Sequence, residues 1–180
     1  MFVLGEKVVY AGHGVAQISR IIEKKIAGSV THFFELRFIN KDMTILIPTH
    51  NLATSGVRRL SSPENIDAIF NLLSQPVEQS LHHDLTTNNW NKRNKEYQCR
   101  LRTGKLTEIV KIYKDLKHMA THKELSFGEK GLLNQTEALL VEEIAVVENI
   151  CPEKAVEQLR SRIGGASPIA KRIYSTVTTV

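Results

Sequence analysis

Residues 7–22 read Lys7-Val8-Val9-Tyr10-Ala11-Gly12-His13-Gly14-Val15-Ala16-Gln17-Ile18-Ser19-Arg20-Ile21-Ile22. Two runs rich in β-branched residues flank a short segment with two glycines, which is the pattern of a β-hairpin. His13, held between those glycines, reads as turn chemistry. Two further β-rich runs follow, His32 to Phe38 and Met43 to Ile47, and Pro48 ends the second because proline cannot donate to a sheet ladder. Four or five such short strands make a small barrel or a strongly bent sheet. A sheet of this size either closes on itself or leaves an edge strand with unpaired N–H and C=O groups. Thr44-Ile45-Leu46-Ile47 carries none of the charges that guard an exposed edge, so it reads either as an interior strand or as an open docking edge.

The pattern then changes period. Ser62-Pro63-Glu64 supplies an N-cap and a first-turn proline, and Ile66, Ile69, Phe70 and Leu73 recur at helical spacing, so a helix should cover the barrel or lead out of it. Residues 74–89 lose apolar periodicity and read as a connection. From Trp90 the spacing is helical. A first helix over 90–102 stops at Thr103-Gly104, and a second is marked by Leu106, Ile109, Val110, Tyr113, Leu116 and Met119, with its lysines largely off the apolar stripe. Ser126-Phe127-Gly128-Glu129 fits a capping box that opens a third helix through Leu132, Leu139 and Ile144. Pro152 opens a fourth, which ends before Gly164-Gly165. The Ser/Thr-rich residues 164–180, with Lys171-Arg172, read as a loosely held tail.

Charge is distributed unevenly along this frame. Residues 1–85 hold eight Lys and Arg against eight Asp and Glu, so the net charge of +5 arises entirely beyond them. Between Trp90 and Lys123 ten cations face only Glu96, Glu108 and Asp115, whereas residues 124–157 hold eight glutamates against Lys130 and Lys154. One helical region is built to meet a polyanion.

Several chemistries are disfavoured. No apolar run reaches bilayer length, and residues 1–7 lack the basic-then-apolar order of a secretory signal, so a cytoplasmic protein with no membrane partner is expected. Cys99 and Cys151 are far apart without C-x-x-C spacing, which reads as buried or idle thiols. His118 and His122 have the i, i+4 spacing of a metal pair but lack the glutamate of H-E-x-x-H, and His82-His83-Asp84 falls in the connection. With no G-x-S-x-G elbow and no Walker loop, an enzyme is not expected, nor a cofactor or metal.

The order of elements and several stretches resemble the CarD/CdnL family of RNA polymerase-binding regulators. Gly5-Glu6-Lys7-Val8-Val9-Tyr10 with His13-Gly14-Val15-Ala16 is similar to the family opening, as is Thr44-Ile45-Leu46-Ile47-Pro48 with Asn51 and Gly56-Val57-Arg58. In the second half, Asn89-Trp90-Asn91-Lys92-Arg93 and Leu125-Ser126-Phe127-Gly128-Glu129-Lys130 match its two best-marked stretches, and the likeness covers roughly residues 2–150. It implies an α+β chain of two domains: a small Tudor/SH3-like β-barrel over 1–60 that binds the RNA polymerase β subunit, and an all-α helical bundle over 90–163. The helix and linker of 61–89 would join them, with 164–180 as a flexible tail. The helical domain would hold the upstream fork of the promoter bubble and stabilise the open complex.

The expected DNA contacts are Trp90, Lys92, Arg93, Lys95, Arg100 and Arg102: the indole reads either as a half-buried core ring or, as the resemblance favours, as a minor-groove wedge, and the cations either as a solvated helix surface or as phosphate contacts. Sequence readout should be weak. Of the other aromatic residues of the helical half, Tyr113 and Phe127 read as core, and Lys111, Lys114 and Lys117 as solubilising charge. The expected polymerase contacts are Lys24, Thr44, Ile45 and Leu46. Known members place arginines where Lys24 and Leu46 stand, which implies a less ionic contact. A monomer is expected. The rival reading is a scaffold, in which the β module binds another partner and the basic helices do not act on promoter opening.

Overall fold

The computed structural model describes residues 2–26, 28–52, 55–76 and 90–163. The linker residues 77–89, the His82-His83-Asp84 cluster and the tail 164–180 lie outside the described residues. The α+β order expected from the sequence holds. Five antiparallel strands come first: β1 (Lys7–Tyr10), β2 (Gly14–Ile26), β3 (Ser29–Phe38), β4 (Thr44–Pro48) and β5 (Val57–Arg59). Five helices follow: α1 (Pro63–Ser74), α2 (Trp90–Arg102), α3 (Leu106–His122), α4 (Phe127–Glu148) and α5 (Pro152–Arg162). Among the described residues no helix is long and apolar enough to cross a membrane.

The sheet runs in the order β4-β3-β2-β1-β5. Tyr10 pairs with Gly14 across the β1–β2 turn, and Val8, Ala16, Ile18, Leu36 and Phe38 turn inward to a core completed by Phe34, Ile47, Leu52 and Val57. β2 and β3 reach further than their apolar alternation suggests. The register slips between Ile18 and Arg20, with Ser19 as the extra residue, and beyond this bulge β2 leaves the core. Ser19 Oγ donates to Glu35 Oε1 at 2.7 Å and Arg20 lies 2.9 Å from Glu35 Oε2, fastening the bulge to β3. The ribbon beyond it exposes Ile21, Ile26 and Val30.

α1 joins the helices and not the sheet. Ser62 caps it by accepting from Asn65 N–H, and Ile66, Ile69, Phe70 and Leu73 pack in one cluster with Tyr97, Leu101, Ile112, Leu116, Leu140, Ile144 and Leu159. Of the two expectations for this helix, leading out of the β module is the one realised. Lys114 also differs from its reading as solubilising charge: it is buried, and its Nζ donates to the carbonyls of Leu72 (2.6 Å) and Gln75 (2.9 Å) at the end of α1. The terminal carbonyls of a helix have no intrahelical donor, so an ammonium group there satisfies them and suits the helix dipole.

The two units meet on one side of α4. Glu142 Oε2 accepts from Val15 N–H at 3.2 Å and would lie 2.0 Å from any Cβ on Gly14, whose φ of +106° itself calls for glycine. Arg58 of β5 grips Glu143 with both terminal nitrogens, at 2.7 and 2.6 Å, and its Nε donates to Gly104 O at 2.6 Å. Ser61 N–H adds a bond to Glu143 Oε1 at 3.0 Å. These glutamates belong to the acidic run noted in the sequence, and their work is to bind the helical unit to the β module.

Candidate nucleic-acid interface

Trp90 is the first residue of α2, with its indole half-buried against the helical core. The ring lies on Gly128 at the start of α4. A Cβ at Gly128 would stand 2.9 Å from indole Cζ2 and 3.2 Å from Cε2 and Nε1, so only glycine leaves room for the ring in this seat.

The same turn of α4 is pinned by its cap. Ser126 N–H donates to Glu129 Oε2 at 2.9 Å and Glu129 N–H to Ser126 Oγ at 3.4 Å, the reciprocal bonds of a capping box. Glu129 is buried, at 2% exposure, and its Oε1 takes Arg93 Nη2 at 2.7 Å and Lys123 Nζ at 3.1 Å. Burial pushes this carboxyl upward, but the Ser126 N–H, Lys123 and the Ser126 hydroxyl outweigh it and hold it below the ordinary carboxylate range. Arg93, one helical turn from Trp90, thereby ties α2 to α4 and fixes the angle at which the indole is presented.

The other cations divide into committed and free. Lys92 and Lys95 are exposed two and five residues after Trp90 on α2, and no ion pair engages either among the described residues. Arg100 is paired with Glu96 one turn back and lies 3.9 Å from Glu108. Arg102 is exposed at the end of α2. Lys92, Arg93 and Lys95 follow Trp90 within about 8 Å along α2, and Arg100 and Arg102 lie about 15 to 18 Å from Trp90 along its axis.

Phe127 corrects an expectation. The sequence reading placed it in the core with Tyr113, yet it is 94% exposed. The core aromatics of this unit are Phe70, Tyr97 and Tyr113, and burial raises the Tyr97 phenol to about 12, with Asp115 adding to the effect. The capping box held the signal: it makes Phe127 the first helical residue, before the buried stripe begins, while Leu125 takes the buried position at this end. The thiols also differ from expectation in one respect, since Cys99 and Cys151 are both free but exposed.

In the β module, Thr44, Ile45 and Leu46 lie on β4, an edge of the sheet, opposite Arg37, Leu36 and Glu35 of β3. Thr44 is exposed and Ile45 and Leu46 are half-buried. The strand is therefore an edge and not an interior strand. Lys24 is exposed on β2 opposite Thr31. It stands four residues, about 13 Å, along the ribbon from Arg20, whose partner Glu35 faces Leu46. The four positions share one sheet, but Lys24 lies out toward the ribbon tip and the other three on the edge.

The model of the CarD C-terminal domain matches residues 69–160, and that of the CarD-like/TRCF RID domain matches residues 2–61. YdeB of Bacillus subtilis (strain 168), described as a candidate transcription factor, is 26% identical over 150 residues, which are 83% of this chain and 94% of YdeB. The solution NMR structure of the 72-residue N-terminal domain of Myxococcus xanthus CarD is 29% identical over 33% of this chain and 79% of that one, with a TM-score of 0.29. With family models matching both its β module and its helical unit, the chain belongs to the CarD/CdnL family of transcription regulators.

Proposed function

We propose that the chain binds the RNA polymerase β subunit through its β module and the upstream edge of the promoter bubble through its helical unit, and so stabilises the open complex. Thr44, Ile45 and Leu46 would extend a sheet of the polymerase through their free edge, with Lys24 contributing from the ribbon. Trp90 would press against the unstacked step in the minor groove. Lys92, Lys95, Arg93, Arg100 and Arg102 would face the phosphate backbone, with Lys92 and Lys95 carrying most of the charge contact because Arg93 and Arg100 already hold carboxylates. The protein would act as a monomer, without cofactor, and with weak sequence specificity because charge and shape dominate such contacts.

The observation that carries this reading is the seat of Trp90: an indole held on Gly128 at a helix start, on the helix that also exposes Lys92 and Lys95. Stabilisation requires only that the chain prefer the open complex. A preference of about 1.4 kcal/mol shifts the open-to-closed ratio about tenfold. The test is the lifetime of the open complex on one promoter with purified polymerase. Wild-type protein should lengthen it and Trp90→Ala should abolish most of the effect. An equal lifetime with Trp90→Ala would remove the wedge, and failure of the chain to associate with polymerase would remove the whole reading.

A further inference from the structure

Phe127 is the most exposed large apolar side chain among the described residues. An isolated exposed apolar residue is ordinary on a protein surface, but three observations set this one apart. It directly precedes Gly128, on which the Trp90 ring rests. It begins α4, whose start is closed by the Ser126 and Glu129 cap, so the phenyl ring projects from a fixed backbone. The charged residues nearest to it in sequence are Lys123, Glu124, Glu129 and Lys130, and both lysines stay partly exposed while paired with Glu129 and Glu124. A protein-binding aromatic anchor is usually set among apolar neighbours in a patch. Phe127 has Lys123 and Lys130 nearby in sequence instead, each partly exposed, and an aromatic face with cations near it is the composition that takes a nucleobase with its phosphate.

From this geometry we infer that Phe127 is a second aromatic contact of the nucleic-acid site, receiving an unpaired base of the melted strand next to the step that Trp90 occupies. The inference rests on the DNA reading of Trp90 and extends it from duplex shape to the single-stranded side of the fork. The two rings have different exposure and hence different tasks. The half-buried indole is rigid and suits a wedge, whereas the exposed phenyl ring offers a free face to a base that has left the stack.

The test uses the full chain with polymerase holoenzyme on two versions of one promoter fragment, one fully paired and one with its upstream edge pre-melted by mismatches, reading the affinity of the chain for each complex. Phe127 contributes nothing to the core, so its variants retain the fold. Phe127→Ala should weaken binding to the pre-melted complex by about fivefold to tenfold, the lower range for loss of one base stack, and leave the paired complex unchanged. Phe127→Tyr should behave as wild type and Phe127→Leu like the alanine variant, because a base needs an aromatic face. Equal affinity of Phe127→Ala and wild type on both templates overturns the inference, and so does an equal loss on both, which would mark a contact with polymerase or with paired DNA. Trp90→Ala separates the two levels: if it weakens binding while Phe127→Ala does not, only the present inference fails, and if both are silent the DNA reading fails with it.

Discussion

Arg58 and Glu143 join the last strand to the C-terminal part of α4 through two parallel bonds of 2.7 and 2.6 Å, with the carboxylate 2% exposed and the guanidinium 26% exposed. A planar fork meeting a carboxylate edge-on fixes direction as well as distance. The pair therefore sets how the sheet edge at β4 and the indole of Trp90 are disposed on one body. If the chain bridges polymerase and DNA, that disposition decides whether both contacts form together.

Arg58→Ala is predicted to cost about 3 kcal/mol or more, because it leaves a buried carboxylate without its partner. Arg58→Lys should recover little, since an ammonium cannot make both bonds. The second consequence is loss of cooperativity. Urea unfolding followed by Trp90 fluorescence and by far-ultraviolet dichroism should give coincident curves for wild type and separated curves for Arg58→Ala. A variant with the wild-type midpoint would show that the remaining contacts at α4 suffice.

Lys114 gives a test within one helix. Lys114→Met keeps the apolar stem but leaves the carbonyls of Leu72 and Gln75 without their ammonium donor, at a cost of about 1 to 3 kcal/mol. Lys111, exposed and paired with Glu108 at 2.9 Å, should cost less than about 0.5 kcal/mol as methionine. Equal midpoints for the two variants in urea would contradict the capping role.

Two paired carboxylates of the helical unit, buried Glu129 and half-buried Glu137, contribute to behaviour in acid. Burial pushes Glu137 upward, but bonds from Arg160 and the Tyr113 hydroxyl, with Lys117 nearby, hold it below the ordinary range, as the cap and Lys123 do for Glu129. Since the folded values lie below the unfolded ones, the stabilisation is complete above the ordinary carboxylate range of roughly 4 to 4.5. It is lost as the pH falls through the lower folded values. Urea midpoints should therefore decline below about pH 5, and Glu129→Gln and Glu137→Gln should each make the decline shallower while lowering stability at neutral pH. An unchanged slope in both variants would place the acid sensitivity elsewhere.

Much of the fold is written locally, and the exceptions share a cause. The Ser62-Pro63 start, the Ser126-to-Glu129 box and the Gly14 turn are signals within four residues, and each helix boundary they imply is found. The outer halves of β2 and β3 were not legible because both faces of that ribbon meet water, so no alternation marks them. Lys114 and Phe127 misled in opposite senses: a charged residue capped another helix, and an aromatic residue at a helix start preceded the buried stripe. The Trp90 and Lys92 cluster was visible as composition. Its seat was not, because Gly128 matters only through a ring that the fold brings to it, and Arg58 matters only through a carboxylate 85 residues away.

Gly128→Ala should separate stability from function. Alanine is the better helix former by up to about 1 kcal/mol, and this glycine needs no left-handed conformation, so the urea midpoint should hold or rise slightly. The added methyl group cannot coexist with indole Cζ2 at 2.9 Å, and the ring must swing outward. Because Trp90 is the sole tryptophan, its emission reports this directly, and the maximum should move to longer wavelength as the ring enters water. Open-complex lifetime should fall toward that of Trp90→Ala even though every cation is retained. Wild-type emission together with a wild-type lifetime would mean that the indole is held by the core cluster alone and that the close approach of Gly128 plays no part in presenting it.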